Sequence, residues 1–243
     1  MAAPVTNTPP TDASTEARLA FRHALPSSRL GQEYKSLESF RKASGFVPAQ
    51  KKEYSLVVIT EPARRRILLG EKHRGFGKGM HNSFGGKVEL GESDVESAKR
   101  ELEEETGICV PMERMAQSKL GTLWFTFEDS PTEMVVHVFR INVSCDSNTV
   151  SSGEMDESIF RIDPNVIRGC DEITPVWFPD WHEIPMHNMF ADDSVWLTRV
   201  LSSQEEVLVD GWFHFEPGGQ EVNTILHYYM DFRPKNNPDD CSA

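Results

Sequence analysis

The sequence contains no run of about 18 apolar residues, so nothing in it reads as a membrane-spanning helix. Cysteine is scarce. The 4 residues Cys109, Cys145, Cys170 and Cys241 form neither a CxxC pair nor a His/Cys zinc spacing, which excludes a zinc module and a disulfide-stapled scaffold. Isolated thiols fit the reducing interior of a cell, in the cytoplasm or nucleus. No secretory apolar segment and no internal repeat is visible. Positive charge is thin as well: 25 Lys and Arg face 38 Asp and Glu, a net charge of −13. The imbalance is uneven, with residues 1–52 at +4 and residues 53–243 at −17. So acidic a body repels polymeric nucleic acid and attracts divalent cations. Most of its carboxylates read as solvated surface.

With 243 residues and 38% of them hydrophobic, the chain suits one domain with tails. Residues 1–52 read as a largely flexible extension: 1–15 are rich in Pro, Thr, Ala and Ser. Glu16–Leu25 is a basic amphipathic stretch, either a small docking helix or part of a mitochondrial transit peptide, the latter weakened by Asp12 and Glu16. The folded domain is expected over 53–233, with a polar tail at 234–243. Within it, Tyr54–Ile59 and Arg66–Gly70 read as a hairpin, and Gly75–Gly86 as a glycine-rich loop. Ser93–Thr106 reads as a helix, with Ser93 and Glu96 as a capping box, Gly107 as its stop and Val95, Ala98 and Leu102 as its apolar stripe. Thr122–Phe127 and Met134–Asn142 read as paired strands, and 144–171 as an extended loop or insertion with a short ordered piece near 158–166. Pro175–Phe178 is a further strand, Asp193–Leu201 a second helix, and Trp212–Phe215 with Thr224–Tyr229 a closing strand pair. No long apolar stripe is left over, so a monomer is expected.

The informative segment is GKVELGESDVESAKRELEEETGI, Gly86 to Ile108. On a helix, Glu101, Glu104 and Glu105 stand side by side within about 100° of arc. Like charges so placed weaken the helix by a few tenths of a kcal/mol per pair. A divalent cation reverses the sign, and hard ions such as Mg²⁺ take oxygen ligands shared with phosphates. An ordinary acidic helix face is the other reading of these three residues alone.

The whole segment resembles the Nudix signature G-x5-E-x7-R-E-U-x-E-E-x-G-U, with Gly86, Glu92, Arg100, Glu101, Leu102, Glu104, Glu105, Gly107 and Ile108 filling every specified position. The resemblance implies an α/β/α sandwich with a mixed central sheet and a loop–helix–loop motif whose carboxylates hold Mg²⁺, or Mn²⁺ as a substitute, against a diphosphate. By this resemblance the metal ligands are Glu101, Glu104, Glu105, Glu172 and the carbonyl of Gly85. Glu105 or a neighbour acts as general base, and Arg100 orients the carboxylates.

The similarity extends to Lys72–Lys87 (KHRGFGKGMHNSFGGK), Met134–Phe139, Asp171–Glu172, Trp177–Phe178, Met189–Trp196 and Trp212–Glu216, collinear with the oxidized purine nucleoside triphosphatases. That implies a small-molecule purine nucleoside triphosphate as substrate, 8-oxo-dGTP or 2-hydroxy-dATP, and sanitation of the nucleotide pool. Asn82, Asp192 and Asp193 would meet the purine edge. Phe76 would border the base, Phe190 stands where the family's Trp stacks on it, Ser55 and Lys72 would lie near sugar or phosphate, and Phe84, Gly85, Gly86 and Lys87 would also meet the substrate. Asn offers a donor and an acceptor, and two adjacent carboxyls in a dry pocket cannot easily both stay charged. Plainer readings stand beside these: the Asp pair as a helix cap, Phe76 and Phe84 as core aromatics, His137 as a satisfied core histidine. Phe190 stands where the family has Trp, and His81 also replaces a usual Trp. The alternatives are a Nudix hydrolase of ADP-ribose or a dinucleotide polyphosphate, and a nucleotide-binding module without catalysis.

Overall fold

The acidic helix forms as its sequence predicts. In the computed structural model, which describes residues 29–145, 159–203, 206–217 and 224–235, α2 spans Asp94–Thr106. The Ser93 hydroxyl accepts the Glu96 N–H at 3.2 Å, and the Glu96 carboxylate accepts the Ser93 N–H at 2.8 Å. This reciprocal cap satisfies two orphan donors, worth about 1 kcal/mol, and offsets part of the repulsion along the helix. Gly107 ends it at φ 76°. A Cβ there would also lie 2.5 Å from the Val166 carbonyl, because the segment after α2 packs tightly over its end.

The strands form one mixed sheet. β2 (Gln50–Glu61) pairs antiparallel with β3 (Arg66–Lys72), the predicted hairpin, but its long partner is β6 (Thr132–Ser144), in parallel. β6 also runs antiparallel to β5 (Lys119–Phe127), and β5 is parallel to β9 (Val207–Phe215), which pairs antiparallel with β10 (Ile225–Pro234). β4 (His81–Asn82) and β8 (Ile173–Phe178) both pair with β3.

Alternation along the strands builds two cores. Val58, Ile67, Leu69, Leu123, Val138 and Phe213 pack against α4 (Asp193–Ser202) through Val195, Trp196 and Val200. Val57, Ile59, Leu68, Phe139 and Ile141 pack against Ala98 and Leu102 of α2 and Met115 of α3 (Met112–Gln117). The result is an α/β/α sandwich.

The expectation for the N-terminal extension needs correction. The extension is not loose throughout: β1 (Gln32–Tyr34) adds to the sheet parallel to β10, and α1 (Leu37–Ser44) buries Phe40. Its caps are ordinary ones, with the Ser36 hydroxyl accepting from Ser39 N–H and Gly45 at φ 60°. β2 starts at Gln50 because its polar residues find backbone partners on β6, Gln50 opposite Thr132. In the 144–171 stretch, β7 (Ile159–Arg161) pairs with the end of β6, and Arg168 N–H bonds the Thr106 carbonyl, docking this segment on the end of α2. The stretches 1–28 and 236–243, which include the basic amphipathic segment and most of the polar tail, lie outside the described residues. No helix among the described residues is long and apolar enough to cross a membrane. Cys109, Cys145 and Cys170 are unpaired.

Candidate active site

The glycine loop lies along β2 and is pinned by backbone bonds. Ser55 N–H bonds the Gly86 carbonyl at 2.9 Å, and Val57 exchanges both bonds with Phe84. Two glycines are needed where the loop passes between strand and helix. A Cβ on Gly85 (φ 153°) would lie 2.1 Å from the Ser55 carbonyl oxygen, and one on Gly86 would lie 2.4 Å from Oε1 of Glu101. The loop therefore brings bare backbone against the carboxylates of α2. Gly85 N–H donates to Oε2 of Glu105 at 2.8 Å.

Arg100 organises the other carboxylates. It grips Glu92 with two bonds, Nε to Oε1 at 2.8 Å and Nη2 to Oε2 at 2.9 Å, and reaches Glu101 at 2.8 Å and Glu104 at 3.4 Å. The planar fork favours this shared geometry. Glu92 is held below the usual carboxylate range by the Arg100 hydrogen bond. Glu101 is pushed up by burial, which outweighs its bond to Arg100. Glu105, only 6% exposed, is pushed up to about 7, chiefly by burial and also by the fields of Glu101 and Glu172, against its bond from Gly85 and the nearby charge of Lys72. Glu172 enters from the loop before β8, with Lys72 at 3.5 Å and Arg74 at 3.4 Å. The Glu104 side chain is 61% exposed, and Arg100 is its ion-pair partner.

Glu101 is thus repelled by Glu104 and Glu172 and opposed by Arg100, and Glu105 is repelled by Glu101 and Glu172 and opposed by Lys72. Among the described residues no three carboxylates lie close enough to form a closed metal cage. The donor set nevertheless fits a hard divalent ion that completes its shell with phosphate oxygens and water. Carboxylates driven toward neutrality by burial and mutual repulsion are relieved by such a charge.

Beside the carboxylates opens a cavity of about 650 Å³. Lys72, Phe76, Asn82, Gly85, Gly86, Glu172, Phe190, Asp192 and Asp193 line it. Asp192 begins α4 but makes no side-chain cap; its carboxylate instead accepts the Trp196 indole N–H at 3.0 Å. Asp193 is 2% exposed and its Oδ2 is buried with no hydrogen-bond partner. Burial pushes Asp192 up to about 6, and burial together with the Asp192 charge pushes Asp193 well above the usual range. The Asn82 carbonyl accepts Ser83 N–H at 2.8 Å, which leaves its amino group to offer the cavity. Phe76 and Phe190 stack at 5.0 Å with planes 10° apart.

Two expected contacts fall elsewhere, and a third is only partly met. Phe84 is fully buried, because its pairing opposite Val57 turns the ring to the α2 side of the sheet. Ser55 lies on that same face: it touches the cavity wall, but its hydroxyl meets the Ser97 hydroxyl at 2.9 Å. Lys87 is exposed and outside the cavity lining; its carbonyl accepts from Arg100 at 3.3 Å. His137 is not a satisfied core group. It sits between Glu53 and Asp94, and its Nδ1 is unbonded. Sequence reasoning missed the apolar wall formed by Tyr54, Leu56, Phe125, Phe127, Met134, Val136 and Phe215, together with Lys52 and Asp129. The alternation of β5, β6 and β9 carried that signal.

The raised carboxyls have a consequence for stability. Glu105 ionises near 4.5 when unfolded and near 7 when folded, so between those values the native state holds the extra proton. Its ionisation is a cost, present in full above pH 7 and relieved as pH falls. Acidifying the metal-free protein from pH 8 to pH 6 should stabilise it by about 1–2 kcal/mol, since Asp193 shifts in the same direction. With several millimolar Mg²⁺ the gain should shrink, because an ion bound by Glu105 restores the charged form at pH 8. Thermal melts at both pH values, with EDTA and with Mg²⁺, read this directly; a metal-free melting temperature that is flat or falls on acidification would contradict it.

Residues 51–163 match the NUDIX domain family. The chain is 36% identical over 177 residues to the oxidized purine nucleoside triphosphate hydrolase of Danio rerio, spanning 73% of this chain and 92% of that protein. It is 35% identical to the protein of the same name from Mus musculus, with the same coverage. Among solved structures it is similar to the MutT protein of Bacillus halodurans, at 26% identity and a TM-score of 0.51, covering 74% of this chain and 97% of that one. The chain belongs to the Nudix hydrolase family. Within that family it stands with the relatives named oxidized purine nucleoside triphosphate hydrolase.

Proposed function

We propose that the protein hydrolyses oxidized purine nucleoside triphosphates, such as 8-oxo-dGTP and 2-hydroxy-dATP, to the nucleoside monophosphate and pyrophosphate in a Mg²⁺-dependent reaction. The observation that carries this reading is one cavity bounded at one place by Glu172 and the Gly85–Gly86 backbone, with Glu105 bonded to Gly85 directly behind it, and at another by a buried Asp pair with an unpartnered oxygen. An unbonded buried carboxyl is costly unless a ligand completes it, and a purine edge offers the matching donors and acceptors.

The triphosphate lies toward the glycine loop, where Lys72 supplies a positive charge. Phe76, Phe190 and the Phe125–Phe127 wall flank the base. Glu101, Glu105 and Glu172, with the Gly85 carbonyl, would hold the divalent ion, which supplies polarisation of the phosphate and a lowered pKa for a water. Glu105 accepts the proton of the attacking water. Arg100 ties Glu92, Glu101 and Glu104 to one another beside the site. Water adds to one of the two phosphorus atoms joined by the α–β bridging oxygen, the bond from that phosphorus to the bridging oxygen breaks, and the products are the nucleoside monophosphate and pyrophosphate.

The test is a product assay. With Mg²⁺ and a panel of 8-oxo-dGTP, 2-hydroxy-dATP, dGTP and ADP-ribose, the protein should release monophosphate and pyrophosphate and favour the oxidized purines. Release of orthophosphate, or a preference for ADP-ribose, would overturn this reading.

A further inference from the structure

The elements proposed to read the base come from two separate parts of the chain. Asn82 sits on β4 at the end of the glycine loop, and Phe190, Asp192 and Asp193 sit just before and at the start of α4. The spacing between them fixes which purine edge fits. Something must therefore hold the loop to the segment that leads into α4.

One side chain makes that tie at both ends. Asn188, in the 3₁₀ turn Met186–Asn188, donates its amide N–H to the Gly79 carbonyl at 3.0 Å, and the same nitrogen lies 3.3 Å from Nδ1 of His81. Gly79 sits within the loop's own small network. Gly79 N–H bonds the Lys72 carbonyl at 2.8 Å, Met80 N–H bonds the Gly77 carbonyl, and Lys72 N–H bonds the Met80 carbonyl. His81 immediately precedes Asn82, stands opposite Glu71 on β3 and packs edge-on against Phe178 at 5.2 Å. Burial lowers its pKa, with His187 acting in the same direction against Glu71, so a neutral ring can accept from the amide. A second tie lies on the cavity side, where Phe190 stacks on Phe76 and leaves no room for a Cβ on Gly77, which would meet the ring at 2.7 Å. Three loop glycines, Gly75, Gly77 and Gly79, have φ between 72° and 81°, so this loop adopts a backbone shape open to few other residues and depends on such ties to stay registered.

We propose that Asn188 is a positioning residue for base recognition: its amide clasps the glycine loop through Gly79 and His81 and so sets the distance from Asn82 to the Asp192–Asp193 pair. The inference rests on the purine-hydrolase reading for its kinetic consequence but not for the clasp itself. Asn188 touches neither the cavity nor the carboxylates, and its role is to hold others in place.

Asn188→Asp is the informative variant. It is nearly isosteric on a partly exposed turn, yet turns the donor into a carboxylate facing a carbonyl. Two measurements separate the claims. In the metal-free, substrate-free protein, hydrogen exchange at the Gly79 and Met80 amides should speed up by about fivefold or more, the loss of one hydrogen bond, with the β5 and β6 amides unchanged. In the enzyme assay, KM for the preferred oxidized purine should rise about fivefold with kcat within twofold, while Asn188→Gln recovers part of the loss. Unchanged exchange at Gly79 and Met80 overturns the clasp whatever the activity. Faster exchange with unchanged KM and unchanged substrate ranking overturns its role in recognition. If the wild type hydrolyses none of the purine triphosphates, the functional reading fails and the exchange result still decides the clasp.

Discussion

Glu105→Gln should lower kcat by about a thousandfold while leaving the protein folded. The amide is almost the same shape as the carboxyl, and its oxygen can still accept the Gly85 N–H that now bonds Oε2 at 2.8 Å. What disappears is the group that can take a proton near neutral pH and bear the charge a divalent ion requires. Stability should move the other way. At pH 8 the wild type holds an ionised carboxylate that is 6% exposed and close to Glu101 and Glu172, whereas glutamine carries no charge there. The metal-free variant should therefore melt above the metal-free wild type at pH 8 and lose most of the Mg²⁺-induced shift. Opposite signs in activity and stability are hard to obtain from simple misfolding, and this makes the pair of measurements informative. Glu104→Gln is the matched control. Its side chain is 61% exposed and ion-paired with Arg100, so a loss of about tenfold is expected. A loss below tenfold for Glu105→Gln in pyrophosphate release would remove Glu105 from the chemistry.

What could be read in the sequence was what is local. The α2 helix has its caps, its stripe and its stop within a single stretch of chain, and these are found where expected. The carboxylates needed no tertiary knowledge to be placed on one face of that helix. Their final roles did. Arg100 bonds Glu92, Glu101 and Glu104 alike, and Glu172 arrives from a distant loop to act on both Glu101 and Glu105. Non-local pairing was the main gap. The parallel match of β2 with β6 joins residues some eighty positions apart, as between Ser55 and His137, and nothing in either strand announces the other. That pairing decides which side chains see the cavity. Phe76 and Phe84 are both aromatic residues in one glycine-rich loop, yet the first is 45% exposed at the cavity and the second fully buried, because only Phe84 is hydrogen-bonded opposite Val57. Ser55 turns to the helix side for the same reason. The β1–α1 segment was overlooked because its strand is three residues long and polar, although Ser36 and Gly45 marked both ends of its helix.

Substitution in the Asp pair should change which damaged purine is preferred rather than abolish activity. The two carboxyls are buried side by side, and burial dominates both. Asp192 accepts from the Trp196 indole N–H at 3.0 Å, and this stabilises its charge. Asp193 has no such partner on Oδ2 and feels the Asp192 charge, so the proton rests on Asp193 at neutral pH. On the proposed reading the pair offers the base an acceptor and a donor, and one proton moving between them exchanges the pattern. Asp193→Asn keeps a donor at that place but fixes it. The ratio of kcat/KM for 8-oxo-dGTP to that for 2-hydroxy-dATP should shift by about tenfold or more, since a purine that needs the exchanged pattern leaves buried polar groups unpaired. In the wild type this ratio should also drift between pH 6 and pH 8 as Asp192, at about 6, and its partner change ionisation. In Asp193→Asn that drift should flatten. Asp192→Asn acts from the other side. The amide oxygen still accepts from Trp196, but the neighbouring charge is gone, so Asp193 ionises more readily and becomes the acceptor. The two variants should therefore displace the ratio in opposite directions. Displacement in the same direction, or a ratio equal to the wild type in both, would show that the purine edge is read elsewhere in the cavity.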